Sequence, residues 1–128
     1  MFDGIREKST IALYDDPETI EELVQRLDGV IAFFSDKQAW CKGVFSKKEN
    51  QRIRMCLEQA LMAHRVFRSA RVPIMDAIEE RYGSRPYHIA WWNDGWFRRF
   101  KHVRTVLELT RANLVAGKYH IDELVLRI

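Results

Sequence analysis

The chain lacks long apolar runs and has few cysteines, prolines and glycines. Its 128 residues include two cysteines, three prolines and six glycines, which excludes a disulfide-rich scaffold, a collagen-like repeat and a proline-rich linker. No apolar stretch approaches the ~20 residues that a membrane-spanning helix requires, and residues 1–8 lack the basic-then-apolar layout of a signal peptide. We therefore expect a cytoplasmic protein without a membrane partner.

The remaining composition is that of a globular domain. Hydrophobic residues make up 47% of the chain and charged residues 30%, and the length is close to the commonest domain size. A single helical domain over residues 1–128 is predicted. In a reducing compartment, Cys41 and Cys56 are expected to stay reduced and to pack as small hydrophobic side chains.

Charge is distributed unevenly along the chain. Residues 1–34 hold eight acidic and three basic residues, whereas residues 35–128 hold ten acidic and eighteen basic residues. A basic surface of this kind attracts nucleic acid or an acidic protein, although the acidic first part of the chain can also lie against it. Charge alone does not separate these alternatives.

Apolar residues recur at steps of three and four in several segments, which predicts an all-α, compact bundle of about four helices. The first predicted helix follows the start signal Asp15-Asp16-Pro17-Glu18 and reaches Phe34. The second begins at an apparent capping box, Ser46-Lys47-Lys48-Glu49, and runs to about Ser69. In this helix, His64 lies on the apolar face and is expected to be a core histidine.

The later segments carry further start and stop signals. Pro73 suits the first turn of a third helix, and Gly83 is suited to end it. Asn93-Asp94-Gly95 is a turn or cap signal, followed by a fourth helix whose apolar stripe runs from Trp96 to Leu114 before Gly117.

The two ends of the chain leave alternatives open. Residues 119–128 are compatible with a strand or with a final helical turn capped by Asp122. Ile11 and Leu13 could form a short extended segment near the other terminus.

Cys41 is one candidate catalytic residue. A thiol needs a base and an orienting group to act as a nucleophile, and His88 with the pair Asn93-Asp94 could supply them. The residues that flank Cys41 match no thiol-hydrolase signature, so structural packing is the favoured interpretation and no catalytic residue is assigned.

A metal site is disfavoured for a geometric reason. Cys56 and His64 are eight residues apart, a rise of ~12 Å on one helix, whereas two ligands of one zinc ion lie within ~4 Å of each other. No paired C-x-x-C or H-x-x-x-H spacing is present. We therefore expect neither a metal nor a cofactor.

The segment from Tyr87 to Arg104 is rich in aromatic and basic residues. On a helical wheel Arg98, Lys101 and His102 share one side, and Trp96, Phe100 and Val103 share the opposite, core-facing side. Phe97 lies off the core stripe and is the best candidate for an exposed anchor. The candidate interaction surface comprises Phe97, Arg98, Lys101 and Arg104.

Three short motifs, taken in order, indicate a family. Trp40-Cys41-Lys42-Gly43, Cys56-Leu57-Glu58-Gln59-Ala60-Leu61 and Trp92-Asn93-Asp94 make the chain, over about residues 20–116, resemble a bacterial and phage domain family of unknown function. That family carries W-C-x-G, C-x-x-G-A-L and W-N-D in the same order. Gln59 departs from the pattern, because it stands where the family has glycine.

The resemblance implies a structural unit rather than an activity. It implies that six motif residues come together: Trp40, Cys41, Cys56, Trp92, Asn93 and Asp94. Within this unit we expect Asn93 or Asp94 to cap the fourth helix and Trp92 to pack beside Trp40. The two thiols are expected to fill the space between them.

The sequence favours a small non-enzymatic protein-interaction module over an enzyme. Its partner is expected to be a protein, and a phage or mobile-element protein that modulates a host protein fits the resemblance. The alternative is a nucleic-acid-binding domain that uses the basic second and fourth predicted helices, and the third hypothesis is a Cys41-dependent enzyme. A homodimer is also compatible with an exposed aromatic face.

Overall fold

The fold is mostly helical and is built around two long helices that pack against a third. The computed structural model describes residues 15–125 of the chain. Its elements are α1 (Ile20–Phe33), a 3-10 turn (Lys37–Ala39), β1 (Ser46–Glu49), β2 (Arg52–Met55), α2 (Leu57–Ala63), α3 (Phe67–Tyr82), α4 (Ile89–Asn93), α5 (Phe100–Val115) and α6 (Ile121–Leu124). The predicted helical class is thus correct, but the fold is not purely all-α, because β1 and β2 form a small sheet.

Helix α5 is the centre of the packing. It lies against both α1 and α3, while α2 contacts α4 and α6 contacts α3. The apolar stripe of α1 is fully buried at Leu23, Leu27 and Val30. It meets the stripe of α5, which includes Val103 and Leu107. This arrangement follows from the 3.6-residue periodicity of both segments, since a helix with one apolar stripe must bury it against another element.

Helix α1 starts at a different cap from the predicted one. Thr19 is the N-cap, and its hydroxyl oxygen accepts a hydrogen bond from the backbone N–H of Glu22 (3.1 Å). Asp15 instead pairs with Arg26 and Arg65. The carboxylate therefore ties the start of the described chain to α1 and to the end of α2.

The predicted capping box at residues 46–49 is wrong, because this segment is a β-strand. Strands β1 and β2 are antiparallel, with Ser46 opposite Met55 and Glu49 opposite Arg52. The two residues between them, Asn50 and Gln51, have φ of 52° and 63°. Such positive φ values at both central positions are typical of the tight turn that joins hairpin strands.

The predicted second helix, which was expected to continue to about Ser69, is also interrupted near its C-terminal end. Helix α2 stops at Ala63, Arg65 adopts a φ of 58°, and α3 begins at Phe67. His64, which closes α2, is half-buried, and its ring lies where a side chain on Gly29 would stand, since a Cβ there would be 2.9 Å from His64 Cδ2.

Pro73 does not start a helix but is buried inside α3. Lacking an N–H, it leaves one carbonyl of the preceding turn without its helical donor. Gly83, with a φ of 88°, ends α3 as predicted.

The C-terminal part of the described chain is helical. Gly117 (φ 80°) follows α5 and confirms the predicted stop. Residues 121–124 form α6, so the alternative of a strand is wrong for this part of the tail, and the residue before the helix is His120 rather than the predicted cap Asp122. Ile11, Leu13 and residues 126–128 lie outside the described residues.

Candidate functional site

Asn93 is the centre of a buried hydrogen-bond network that joins three parts of the chain. Its Oδ1 accepts from the indole N–H of Trp40 (2.6 Å) and from the backbone N–H of Leu57 (3.0 Å). Its Nδ2 donates to the carbonyl oxygen of Cys41 (3.0 Å). Asn93 is completely buried, so each of these bonds replaces contact with water. We call Trp40, Cys41, Leu57 and Asn93 the Asn93 hub.

Asp94 extends the hub to the loop before β1. Its Oδ1 accepts from Asn93 Nδ2 (3.0 Å) and from the backbone N–H of Gly43 (2.9 Å). Gly43 has a φ of 83°, a conformation that favours glycine. The prediction that Asn93 or Asp94 caps the fourth long helix is wrong, because α5 begins seven residues after Asn93, with Arg99 as its N-cap.

Both cysteines are buried, free thiols, and Cys41 belongs to the hub while Cys56 precedes Leu57. Cys41 Sγ lies 3.5 Å from the carbonyl oxygen of Val44, and Cys56 caps α2 by accepting from the backbone N–H of Gln59 (3.4 Å). Burial raises the pKa of both thiols. A raised pKa disfavours the thiolate that a nucleophile needs, and within residues 15–125 no imidazole forms a hydrogen bond with Cys41.

Arg98 packs on the aromatic core instead of facing solvent as predicted. Its guanidinium carbon is 3.9 Å from the centre of the Trp92 ring, and its Nε donates to the Trp92 carbonyl oxygen (2.7 Å). Burial lowers the pKa of Arg98. Trp92 is itself buried, as predicted. This cation–π contact fixes the chain between α4 and α5.

Four large aromatic side chains on the same stretch point into solvent. Tyr87 is 83% exposed, Trp91 65%, Trp96 86% and Phe97 77%. The Trp96 and Phe97 rings lie 4.7 Å apart. We call residues 87–97 the aromatic segment. The exposure of Phe97 is as predicted, whereas the prediction that Trp96 packs in the core is wrong, because α5 starts only at Phe100.

Arg104, another residue of the predicted interaction surface, is also half-buried. Arg104 donates to the carbonyl oxygens of Phe34 (2.9 Å) and Ile31 (3.4 Å) and pairs with Glu108 (3.0 Å). Arg104 therefore binds backbone carbonyls at the C-terminal end of α1, where a cation interacts favourably with the helix end. Of the four predicted residues, Phe97 and Lys101 are exposed.

Two features of the aromatic segment had no clear sequence signal. One is the exposed Trp91, which lies on α4, a single short helix without a capping hydrogen bond. Lys42, from the loop before β1, also reaches this segment, where its Nζ lies 3.2 Å from the carbonyl oxygen of Arg98 and 3.4 Å from that of Trp96. Only the cap-like triplet Asn93-Asp94-Gly95 indicated that the chain turns here.

His102 lies in the first turn of α5, near several cations. Its Nδ1 accepts from the backbone N–H of Arg99 (2.9 Å), and its ring packs against Tyr82. Burial lowers the pKa of His102 below its ordinary value, and nearby cations lower it further: Arg98, Lys101, Arg99 and Arg81. The neutral ring is therefore the form that the folded chain prefers.

This shift predicts a pH dependence of stability. Below about pH 6.5 the unfolded chain binds a proton at His102, whereas the folded chain binds it only at lower pH. The free energy of unfolding that His102 contributes above that pH is therefore lost as the pH falls. We expect the thermal midpoint to drop between pH 7.5 and pH 5, and to drop less in His102→Asn, whose Oδ1 can accept the same bond without titrating. Equal pH profiles for the two chains would contradict this assignment.

An open groove of about 420 Å³ lies between the end of α1 and the hairpin turn, where Asp36 and Arg52 form an ion pair (2.9 Å). Residues 15–125 contain no group of three or more His, Cys, Asp or Glu side chains that could hold a metal ion. In the same part of the chain, none of the helices is both long and apolar enough to cross a bilayer.

Comparison with known proteins gives no relative: no family model matches the chain, and neither a curated protein nor a solved structure matches it. The resemblance to the bacterial and phage family therefore stays a prediction. Four of the six motif residues, Trp40, Cys41, Asn93 and Asp94, are joined by hydrogen bonds, and Cys56 precedes Leu57 of the hub.

Proposed function

We propose that this chain is a non-enzymatic protein-interaction module that binds its partner through the aromatic segment. The observation that carries the proposal is the exposure of Tyr87, Trp91, Trp96 and Phe97 on a stretch that is itself anchored by buried hydrogen bonds. Tyr and Trp side chains contribute a large share of the energy at protein interfaces. Their placement on an ordered stretch lowers the entropy that binding would otherwise cost.

The size of the exposed aromatic surface supports the same function. Each aromatic side chain can bury roughly 150–250 Å², so four side chains at these exposures offer on the order of 600 Å². A specific interface buries about 800 Å² per partner. The summed exposed area of the four side chains is thus comparable with the area that a standard-sized interface buries on each partner.

The competing hypotheses receive less support from the geometry. A Cys41-dependent enzyme needs an accessible thiolate, whereas this thiol is buried and its pKa is raised. Nucleic-acid binding needs free cations, whereas several arginines are held by carboxylates: Arg52 by Asp36, Arg54 by Glu49 and Arg111 by Asp28. The wider hypothesis, a phage or mobile-element protein that acts on a host protein, rests on the resemblance.

The test is affinity capture from extract of the source cells, run with and without nuclease treatment. The wild-type chain is compared with Trp96→Ser/Phe97→Ser, and the matched control Val72→Ser/Val115→Ser also replaces two exposed apolar residues. We expect at least one protein whose recovery falls tenfold or more with the aromatic variant and is unchanged with the control. Because Trp96 and Phe97 are largely exposed, the aromatic variant should change the free energy of unfolding by less than about 0.5 kcal/mol.

Two results would contradict the proposal. The first is an identical set of captured proteins for the aromatic variant and the wild-type chain. The second is capture that disappears on nuclease treatment, with nucleic acid recovered in its place, which would support the nucleic-acid-binding function instead.

A further inference from the structure

The exposed aromatic rings are followed directly in the sequence by cations that no described carboxylate neutralises. Arg99 and Lys101 are exposed, and neither forms an ion pair with the described residues. Some exposed arginines elsewhere in the described residues do pair with carboxylates, as Arg85 does with Asp76 and Glu79. The one carboxylate within the aromatic segment, Asp94, is directed at Gly43 and Asn93 by its hydrogen bonds.

Arg99 and Lys101 lie at the N-terminal end of α5, where the helix dipole disfavours positive charge. Helix α5 has no acidic residue in its first turn, whereas α1 carries Glu21 and Glu22 in its first turn. The N-terminal end of a helix bears partial positive charge, so cations there are destabilising. Arg99 is also a poor N-cap residue, because a guanidinium has no acceptor for the free backbone N–H groups. This chain thus carries an unfavourable charge arrangement beside its exposed rings.

We propose that the partner presents an acidic peptide segment, whose carboxylates pair with Arg99 and Lys101 while its apolar side chains cover Trp96 and Phe97. This inference rests on the proposed function and names the chemistry of the partner. Carboxylates brought to this position would relieve the repulsion among the cations and complement the partial positive charge of the α5 terminus. Bidentate pairing with the guanidinium of Arg99 would add directional specificity.

A nucleic acid fits this surface less well than an acidic peptide. Proteins that bind duplex DNA specifically often neutralise about six to ten phosphates, whereas Arg99 and Lys101 are the two cations after the aromatic segment that form no ion pair within residues 15–125. The neighbouring Lys42 directs its Nζ at the backbone carbonyls of Trp96 and Arg98, and Lys47 and Arg54 of the hairpin pair with Glu49. Two cations are enough to pair with two carboxylates of a peptide.

The experiment is selection of displayed random 16-residue peptides on the immobilised full chain, followed by titration of the synthetic peptides. We expect the selected peptides to combine at least two Asp or Glu residues with aromatic or large aliphatic residues. Their affinity should fall about tenfold in Arg99→Glu/Lys101→Glu and should fall as salt is raised. The control Lys48→Glu/Lys118→Glu has the same change in net charge and should alter the affinity less than twofold.

The outcomes separate this inference from the proposed function. Selected peptides that need Trp96 and Phe97 but are neutral or basic, or that bind Arg99→Glu/Lys101→Glu equally well, would overturn the inference alone. Failure to select any peptide that depends on Trp96 and Phe97 would overturn both. Tight binding of a fluorescent dT20 oligonucleotide, or a homodimer in light scattering that Trp96→Ser/Phe97→Ser dissociates, would assign the surface to a different occupant.

A single substitution adds a readout that a purely structural role of Arg99 would not produce. Arg99→Asp places a good N-cap acceptor at the start of α5 and removes one of the clustered cations. We expect the thermal midpoint to rise by a few degrees while the affinity for the acidic peptides falls. A lowered midpoint, or an unchanged affinity, would overturn the electrostatic argument.

Discussion

Replacing Asn93 with alanine is expected to lower the free energy of unfolding by about 4 kcal/mol. The substitution removes the acceptor of the Trp40 indole N–H and of the Leu57 backbone N–H, and it removes the donor to the Cys41 carbonyl. All three groups would be left buried without a partner, and each unsatisfied buried polar group costs about 1–3 kcal/mol. Urea denaturation followed by circular dichroism measures the loss.

The control for this experiment is Asn113→Ala. Asn113 is also buried, but its side chain makes one bond, from Nδ2 to Glu80 Oε2 (3.1 Å). We expect its loss to cost about 1 kcal/mol. Equal effects of the two substitutions would show that Asn93 does not organise the hub, and the explanation for the ordered aromatic segment would have to be abandoned.

Phe34→Ala is expected to lower the free energy of unfolding by about 4 kcal/mol through loss of core packing. Phe34 is fully buried at the end of α1, and its ring makes edge contacts with Phe33 (5.1 Å between ring centres) and Phe100 (6.4 Å). Truncation of a buried phenylalanine typically costs about 3–5 kcal/mol, because the cavity collapses only in part. Thermal and urea unfolding of the variant measure this cost.

Phe45→Ala is the matched control, because Phe45 is 56% exposed. It should change the free energy of unfolding by no more than about 0.5 kcal/mol. If Phe34→Ala were equally mild, the packing of α1 on the start of α5 would be wrong in the structure.

Helices α1 and α5 were predictable because their buried residues have a regular period, whereas α3 was not. Leu23, Leu27 and Val30 recur at helical spacing, and all are buried on α1. Val103 and Leu107 repeat the pattern on α5. Such stripes are set by local geometry, which a sequence displays directly.

The hairpin was not predictable from the same signals. Ser46 and Glu49 have the spacing of a capping box, but the intervening lysines are equally suited to an exposed strand, and all four residues of β1 are exposed. The decisive feature is the backbone at Asn50 and Gln51, both with positive φ. Asparagine often adopts this conformation, whereas glutamine does so rarely, so the turn lacked its usual glycine signal.

The candidate site was predicted as a set of residues but not as a geometry. Motif order brought Trp40, Cys41 and Asn93 into one unit, and hydrogen bonds connect them. The predicted roles of Asp94 as a helix cap and of Trp96 as a core residue were wrong. A cap signal does not reveal whether a long helix begins at once or only after a further turn. Helix α5 starts only at Phe100. Trp96, which a helix starting earlier was predicted to bury, therefore lies exposed before it.

The hub and the aromatic segment are parts of one arrangement. Asn93 holds the end of α4 against Trp40 and α2, and Arg98 holds the following turn by its contact with Trp92. Trp96 and Phe97 lie between these two anchors. A rigid support of this kind is what a preorganised binding surface requires.

The most direct test of binding through the aromatic segment is photo-crosslinking of the chain in its source cells. The photoreactive amino acid p-benzoylphenylalanine replaces Phe97 in one chain and, as a control, Val115, which is exposed roughly 22 Å further along α5 than Phe100. The account predicts a covalent adduct with a different protein at position 97 and none at position 115. Absence of an adduct at position 97, or the same adducts at both positions, would contradict it.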